Sequence, residues 1–244
     1  MGLEIGGIAL QNSQVKYFFR KGQKKMDYSA LLETVGQRLR ADFEAKNQAR
    51  EETLRLCREI IQYTSRATRA VHRKEFDVTK QLIQEAREKL FAAHALLKPY
   101  PDLFYSGYIH DAQKEYVEAE AMLAIVMEAP LPTPEELGVE SAAYLHGLAE
   151  AASESRRYLL DSLRRDQLDI ASRVLDSMEA IYDLLITFDF PDALTEGLRR
   201  AVDNLRAVLE RSRADLTLTF IQNRLRSSLE QSLQNGLGTQ STET

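Results

Sequence analysis

The chain has no tryptophan, a single cysteine, and only 6 prolines and 11 glycines in 244 residues. Each scarcity removes a class of answer. One cysteine forms neither an internal disulfide nor a cysteine-based zinc site, which points to a reducing compartment and a cytoplasmic location. That residue, Cys57, shares an apolar stripe with Leu54 and Ile61, so it reads as a small core residue rather than a nucleophile. No apolar run reaches membrane-spanning length, and no membrane partner is expected. The apolar patch at residues 5–10 is short and has no positive residue before it, unlike a signal peptide. His72, His94, His110 and His146 show no HExxH pairing. Glycine-rich phosphate loops and Ser/His/Asp signatures are missing too, so zinc, nucleotide-loop and triad chemistry are not expected.

What is abundant is helix former: Ala, Leu, Glu and Arg dominate a chain that is 44% hydrophobic and 28% charged. Helical periodicity predicts a very long first helix over 28–73, interrupted only by Gly36, then helices over 77–97, 105–127, 141–163, 166–187 and 193–229. All six prolines fall between these segments, and Thr133-Pro134-Glu135-Glu136 reads as a cap followed by a short helical turn. The expectation is an all-α fold, an antiparallel bundle of six to seven helices occupying residues 26–233 as one domain. Residues 1–25 read as a poorly ordered basic extension and 234–244 as a disordered polar tail. A first helix this long needs a partner helix or a partner subunit to bury its apolar face.

Charge is unevenly spread. Residues 1–98 carry 19 Lys+Arg against 12 Asp+Glu, whereas 99–244 carry 13 against 25, so a net charge of -5 conceals a basic half and an acidic half. In the basic half, Arg55, Arg58, Arg66, Arg69 and Arg73 recur at helical spacing, with Gln62 filling the gap. A planar guanidinium grips phosphate oxygens in pairs. Salt bridging to the acidic helices is an equal alternative for this stripe.

Two acidic pairs stand out in the acidic half. At 100° per residue Asp111, Glu115 and Glu118 share a stripe that continues into Met122, Ile125 and Val126. Carboxylates in line with an apolar face need a cation, a metal or a proton, because burying an unpaired charge is costly. The segment 141–163 has an apolar face of Leu145, Leu148, Ala152, Leu159 and Leu163, and opposite it Ala143, Gly147, Glu150, Glu154 and Asp161. Glu150 and Glu154 are spaced i,i+4 and project together. By periodicity alone, an arginine pair for Glu115 and an ordinary solvated face for Glu150 and Glu154 are the plainer readings. The small residues Ala143 and Gly147 hint at a close approach. His110, beside the Asp111/Glu115 stripe, is either a substrate-orienting residue or a satisfied histidine.

Taken together, four blocks resemble the translin family, and within it the catalytic branch of translin-associated factor X and its prokaryotic relatives. They are CREIIQYTSRATRAVHR, YPDLFYSGYIHDAQKEYVEAEAM, LPTPEELGVESAAYLHGLAEAASESRRYLLDSL and MEAIYDLLITFDFPDALTEGLRRAVDNLRAVLERSRADLT. The resemblance covers about residues 28–220. It implies a seven-helix bundle assembled into a hollow homo-oligomer, commonly an octamer, enclosing RNA. It also implies a catalytic and metal-binding set, Mg²⁺ or Mn²⁺ held by Glu115, Glu118, Glu150 and Glu154. The Glu-aromatic-Val-Glu pattern is met by Glu115-Tyr116-Val117-Glu118, and the later acidic pair by Glu150 and Glu154. The eukaryotic catalytic subunit has Asp where Glu150 stands, which keeps the charge and changes the reach by one methylene. The implied activity is a metal-dependent endoribonuclease acting on single-stranded or structured RNA. Arg55, Arg58, Arg66, Arg69 and Arg73 are then nucleic-acid contacts. The alternatives are a non-catalytic oligomer that binds single-stranded RNA or DNA, and a helical scaffold for protein partners.

Overall fold

The computed structural model describes residues 28–105 and 107–238, and among these every regular element is helical. The expected basic extension at 1–25 lies outside the described residues, as does the tail from 239. The described residues fall into two units, divided between Glu44 and Ala45. In the first unit the beginning of helix α1 (Tyr28–His72) leaves Tyr28, Leu32, Leu39 and Phe43 exposed at helical spacing. In the second unit α1 continues as a buried helix, its inner stripe formed by Leu56, Cys57, Ile60, Ala67, Ala70 and Val71. A tight turn with Lys74 at φ 62° reverses the chain into α2 (Phe76–Leu97). Glu59 and Lys89, at matching distances on either side of that turn, form an ion pair at 3.1 Å, so the two helices run antiparallel.

Proline and glycine set the next boundaries. Pro101 starts the single turn α3 (Pro101–Phe104), and Gly107 at φ 85° delays α4 to His110–Met127, five residues later than periodicity predicts. Thr133 caps α5 (Pro134–Leu137) with a complete capping box, its hydroxyl accepting from the Glu136 amide while the Glu136 carboxylate accepts from the Thr133 amide. Helix α6 (Ser141–Leu163) matches the predicted bounds, and α7 is Leu168–Leu185. The predicted last helix is split. Glu196 and Gly197, at φ 52° and 82°, separate α8 (Asp192–Thr195) from α9 (Leu198–Gly238). Helix α9 also outruns the predicted end at 229.

Helix α6 is the centre of the second unit, packed against α4, α7 and α9. It runs parallel to α4, because residues 128–140 cross back along the bundle instead of turning. The pairings fix this direction. The Glu140 amide donates to Gln113 Oε1 at 3.3 Å, Lys114 meets Glu150 at 3.1 Å, and Ser155 Oγ lies 3.2 Å from Met122 Sδ. Arg156 ties α6 to α9 through Asp215 at 2.7 Å and Ser212 at 3.0 Å. Leu148, Ala152 and Leu159 are buried as their apolar face requires. Ala143 and Gly147 on the opposite face are buried as well, so the first turns of that face are packed, while Glu150, Glu154 and Asp161 further along it remain partly exposed. Burial on both sides explains why α6 is rich in alanine: small side chains let two neighbours approach at once.

The closest approach is at Gly147. A Cβ there would stand 2.5 Å from Val117 Cβ and 2.7 Å from the Lys114 carbonyl oxygen. Only glycine fits, so α4 and α6 meet backbone to backbone at the level of Lys114 and Val117. Among the described residues no helix is long and apolar enough to cross a membrane.

Candidate metal centre and basic helix face

The contact at Gly147 determines what happens beside it on α4 and one turn further along α6. Glu115 and Glu118 flank Val117 on α4, and Glu150 follows Gly147 by three residues on α6. Close apposition therefore drives their side chains into one space. One carboxylate oxygen from each of Glu115, Glu118 and Glu150 lies within 4.8 Å of the other two. Hard oxygen donors at that spacing suit a divalent cation such as Mg²⁺ or Mn²⁺.

Glu154 does not share this cluster. It is one turn beyond Glu150, and its Oε1 accepts from Nε2 of His72, the last residue of α1, at 2.7 Å. Arg157 lies 3.9 Å from the same oxygen. The sequence-based expectation of four equivalent glutamates thus resolves into three that converge and one held beside them by a buried histidine.

Among the described residues no arginine neutralises the cluster. Glu150 pairs with Lys114, which also reaches Asp111 at 3.9 Å. Among the described residues neither Glu115 nor Glu118 has a hydrogen-bonded or ion-paired cation. Burial, and then the charges of Glu115, Glu150 and Glu154, push the Glu118 carboxyl from the ordinary 4.5 up to about 8, with Lys114 opposing. Glu115 is raised by burial and by Glu150 and Asp111, again against Lys114. Such a cluster keeps its negative charges only against a cation and otherwise takes up a proton. Asp111 is exposed and Met122 buried, so the stripe sinks into the core from its N-terminal end.

The arginine stripe divides. Arg55 is held by Glu52 and Glu59, and Arg73 by Glu75 at 2.7 Å. Arg58, Arg66 and Arg69 are exposed and have no carboxylate partner among the described residues; Arg69 bonds only to Ser65, and Arg66 lies over the Tyr63 ring. Both readings of the stripe therefore apply, each to its own residues.

The remaining candidates are satisfied structural groups. His110 pairs with Glu196 at 2.9 Å and packs against His146, whose Nε2 donates to the Thr195 carbonyl. Those contacts anchor α8, and the substrate-orienting reading of His110 gains nothing from them. Cys57 is buried and its thiol is pushed up to about 11 by that burial, which leaves it unreactive. Two site residues escaped sequence reasoning. Lys114 had a usable signal, being adjacent to Glu115 and three residues from Asp111. His72 had none, since its partner is 82 residues away.

No protein-family model matches the chain. It is 33% identical over 188 residues to an uncharacterized protein of Methanocaldococcus jannaschii, covering 76% of this chain and 82% of that protein. Among solved structures it is similar to AfC3PO, a translin-family particle. The crystal structure of AfC3PO superposes with a TM-score of 0.72 at 32% identity, covering 76% of this chain and 97% of that chain. A complex of AfC3PO with duplex RNA superposes with a TM-score of 0.71 at 33% identity, covering 76% and 96%. Apo-NeC3PO, at 20% identity and a TM-score of 0.69 over 75% and 96%, shares the fold.

Proposed function

The chain belongs to the translin family, and on that premise we propose that it is a metal-dependent endoribonuclease working in an oligomeric particle. The observation that carries this reading is the convergence of Glu115, Glu118 and Glu150 within 4.8 Å, with no arginine among the described residues to neutralise them. Glu115, Glu118 and Glu150 hold Mg²⁺ or Mn²⁺, and Glu154 stands beside them as a fourth arm. An ion held there would supply charge stabilisation at the scissile phosphate and a more acidic water. One carboxylate of the set takes the proton from the attacking water. Lys114 keeps Glu150 in place and adds positive charge next to the phosphate.

RNA as the substrate class is supported by the duplex RNA complex of AfC3PO. Arg58, Arg66 and Arg69 offer guanidinium groups that no carboxylate of the described residues occupies, and backbone contacts of this type bind with weak sequence preference and strong salt dependence. A homo-oligomer, octameric in this reading, is supported by apolar stripes left exposed in each unit. They are Tyr28, Leu32, Leu39 and Phe43 on α1 and Leu218, Ile221, Leu225 and Leu229 on α9. Stripes of this size on a helix are normally covered by a partner.

The test is cleavage of a labelled RNA by wild type and Glu118→Gln, each with Mg²⁺ and with EDTA. Cleavage by wild type only, abolished by EDTA, is the expected result. Equal cleavage by Glu118→Gln refutes the assignment. Salt-sensitive binding without turnover in any metal leaves the non-catalytic binder of RNA or single-stranded DNA as the better account.

A further inference from the structure

His72 is the last residue of α1, and its side chain is only 4% exposed although its neighbours Arg73 and Lys74 face solvent. Nε2–H donates to Glu154 Oε1 at 2.7 Å, while Nδ1 is buried with no partner among the described residues. Buried polar atoms are nearly always satisfied, and an orphaned one carries the full cost of its lost hydration. An imidazole kept at that cost is retained for the single bond it makes. Neutralising Glu154 is not a sufficient reason for it, since the exposed Arg157 already stands 3.9 Å from the same oxygen. What a short buried ring supplies, and a long exposed guanidinium does not, is a fixed direction.

That direction matters because Oε1 alone is engaged. Oε2 of Glu154 has no partner among the described residues, and the residue lies on the same helix face as Glu150, one turn further on. We propose that His72 is a positioning residue of the cation site: by gripping Oε1 it orients Glu154 so that Oε2 serves as a fourth oxygen beside those of Glu115, Glu118 and Glu150. The inference rests on the cation-site reading above. Outer groups that orient a ligand in this way commonly contribute tenfold to a hundredfold in metal affinity. The same bond joins the site to the basic helix face, because Arg69 precedes His72 by one turn of α1. It therefore sets the register between phosphate contacts and carboxylates.

The experiment is calorimetric titration of Mn²⁺ into the full chain, with melting temperatures in EDTA to establish folding. It uses wild type, His72→Ala, His72→Gln, Glu154→Gln and the double variant His72→Ala/Glu154→Gln. His72→Ala is expected to weaken Mn²⁺ binding by about tenfold to a hundredfold. His72→Gln, whose amide can still donate, recovers most of that loss. In the Glu154→Gln background, His72→Ala has no further effect. An equal loss in both backgrounds means that His72 acts through the fold, and the proposal falls. It falls also if folded His72→Ala binds like wild type. If His72→Ala does not fold, Glu154→Gln decides: wild-type Mn²⁺ affinity there overturns the proposal, and weakened affinity supports it. Wild type that binds no Mn²⁺ overturns the cation site itself, a failure visible before any variant is measured.

Discussion

Replacing Gly147 by alanine puts a single carbon where none fits. The new Cβ would stand 2.5 Å from Val117 Cβ and 2.7 Å from the Lys114 carbonyl oxygen, whereas carbon atoms rest at about 3.5–4.0 Å. One obstacle is backbone and the other is the branch point of a β-branched residue, so no rotamer change relieves the contact. The helices must part by about 1 Å. Overpacking of this kind costs about 1–3 kcal/mol, and the better helix propensity of alanine returns about 1 kcal/mol. A net loss of up to about 2 kcal/mol follows, or a fall in Tm of up to about 8 °C at roughly 2–4 °C per kcal/mol. Because Glu150 is one turn from Gly147, and Glu115 and Glu118 flank Val117, the parting also spreads the carboxylates, and Mn²⁺ binding should weaken with stability. Gly36→Ala is the matched control. Its Cβ meets only the mobile Arg40 guanidinium, at 3.5 Å, so it should be neutral or stabilising by up to about 1 kcal/mol and leave cation affinity alone. Thermal melts and Mn²⁺ titration of both variants decide the matter. A Gly147→Ala protein as stable as wild type, with unchanged cation binding, would refute the argument that this contact builds the site.

Other outcomes follow from the same geometry. Glu118 has its carboxyl raised from 4.5 to about 8 in the folded chain, so the folded state keeps a proton that the unfolded state has lost. Its contribution is fully present below pH 4.5 and is lost as pH rises through about 8. The melting temperature in EDTA should decline over that window, Glu118→Gln should flatten the decline, and a parallel decline in both proteins would contradict the assignment. The triple variant Arg58→Ala/Arg66→Ala/Arg69→Ala should weaken RNA binding and reduce the slope of log affinity against log salt by about 2–3. The pair Arg55→Ala/Arg73→Ala, whose guanidinium groups are already engaged by Glu52, Glu59 and Glu75, should change that slope little. Equal slopes for the two variants in a filter-binding series would dismiss the division of the stripe.

Much of this was legible from local pattern. Periodicity and the placement of all six prolines determined an all-α fold, the ends of α6 and the cap and short turn at Thr133, because those depend on residues within four positions of one another. The Glu115/Glu118 and Glu150/Glu154 pairs were legible for the same reason. Breaks at Gly107 and Gly197 were missed where a positive φ interrupts a pattern that otherwise continues.

What only the tertiary structure decided is which of these groups meet. The parallel crossing of α4 and α6, the depth of contact that Gly147 permits, and the selection of three glutamates out of four arise between segments about 30 residues apart. The capture of the fourth by His72 spans 82 residues. Neither helical period carries information about the other's phase, and side-chain charge says nothing about which neighbour will claim it. Distance in space, set by a missing Cβ, sorted the carboxylates that the family resemblance had grouped as one set of four.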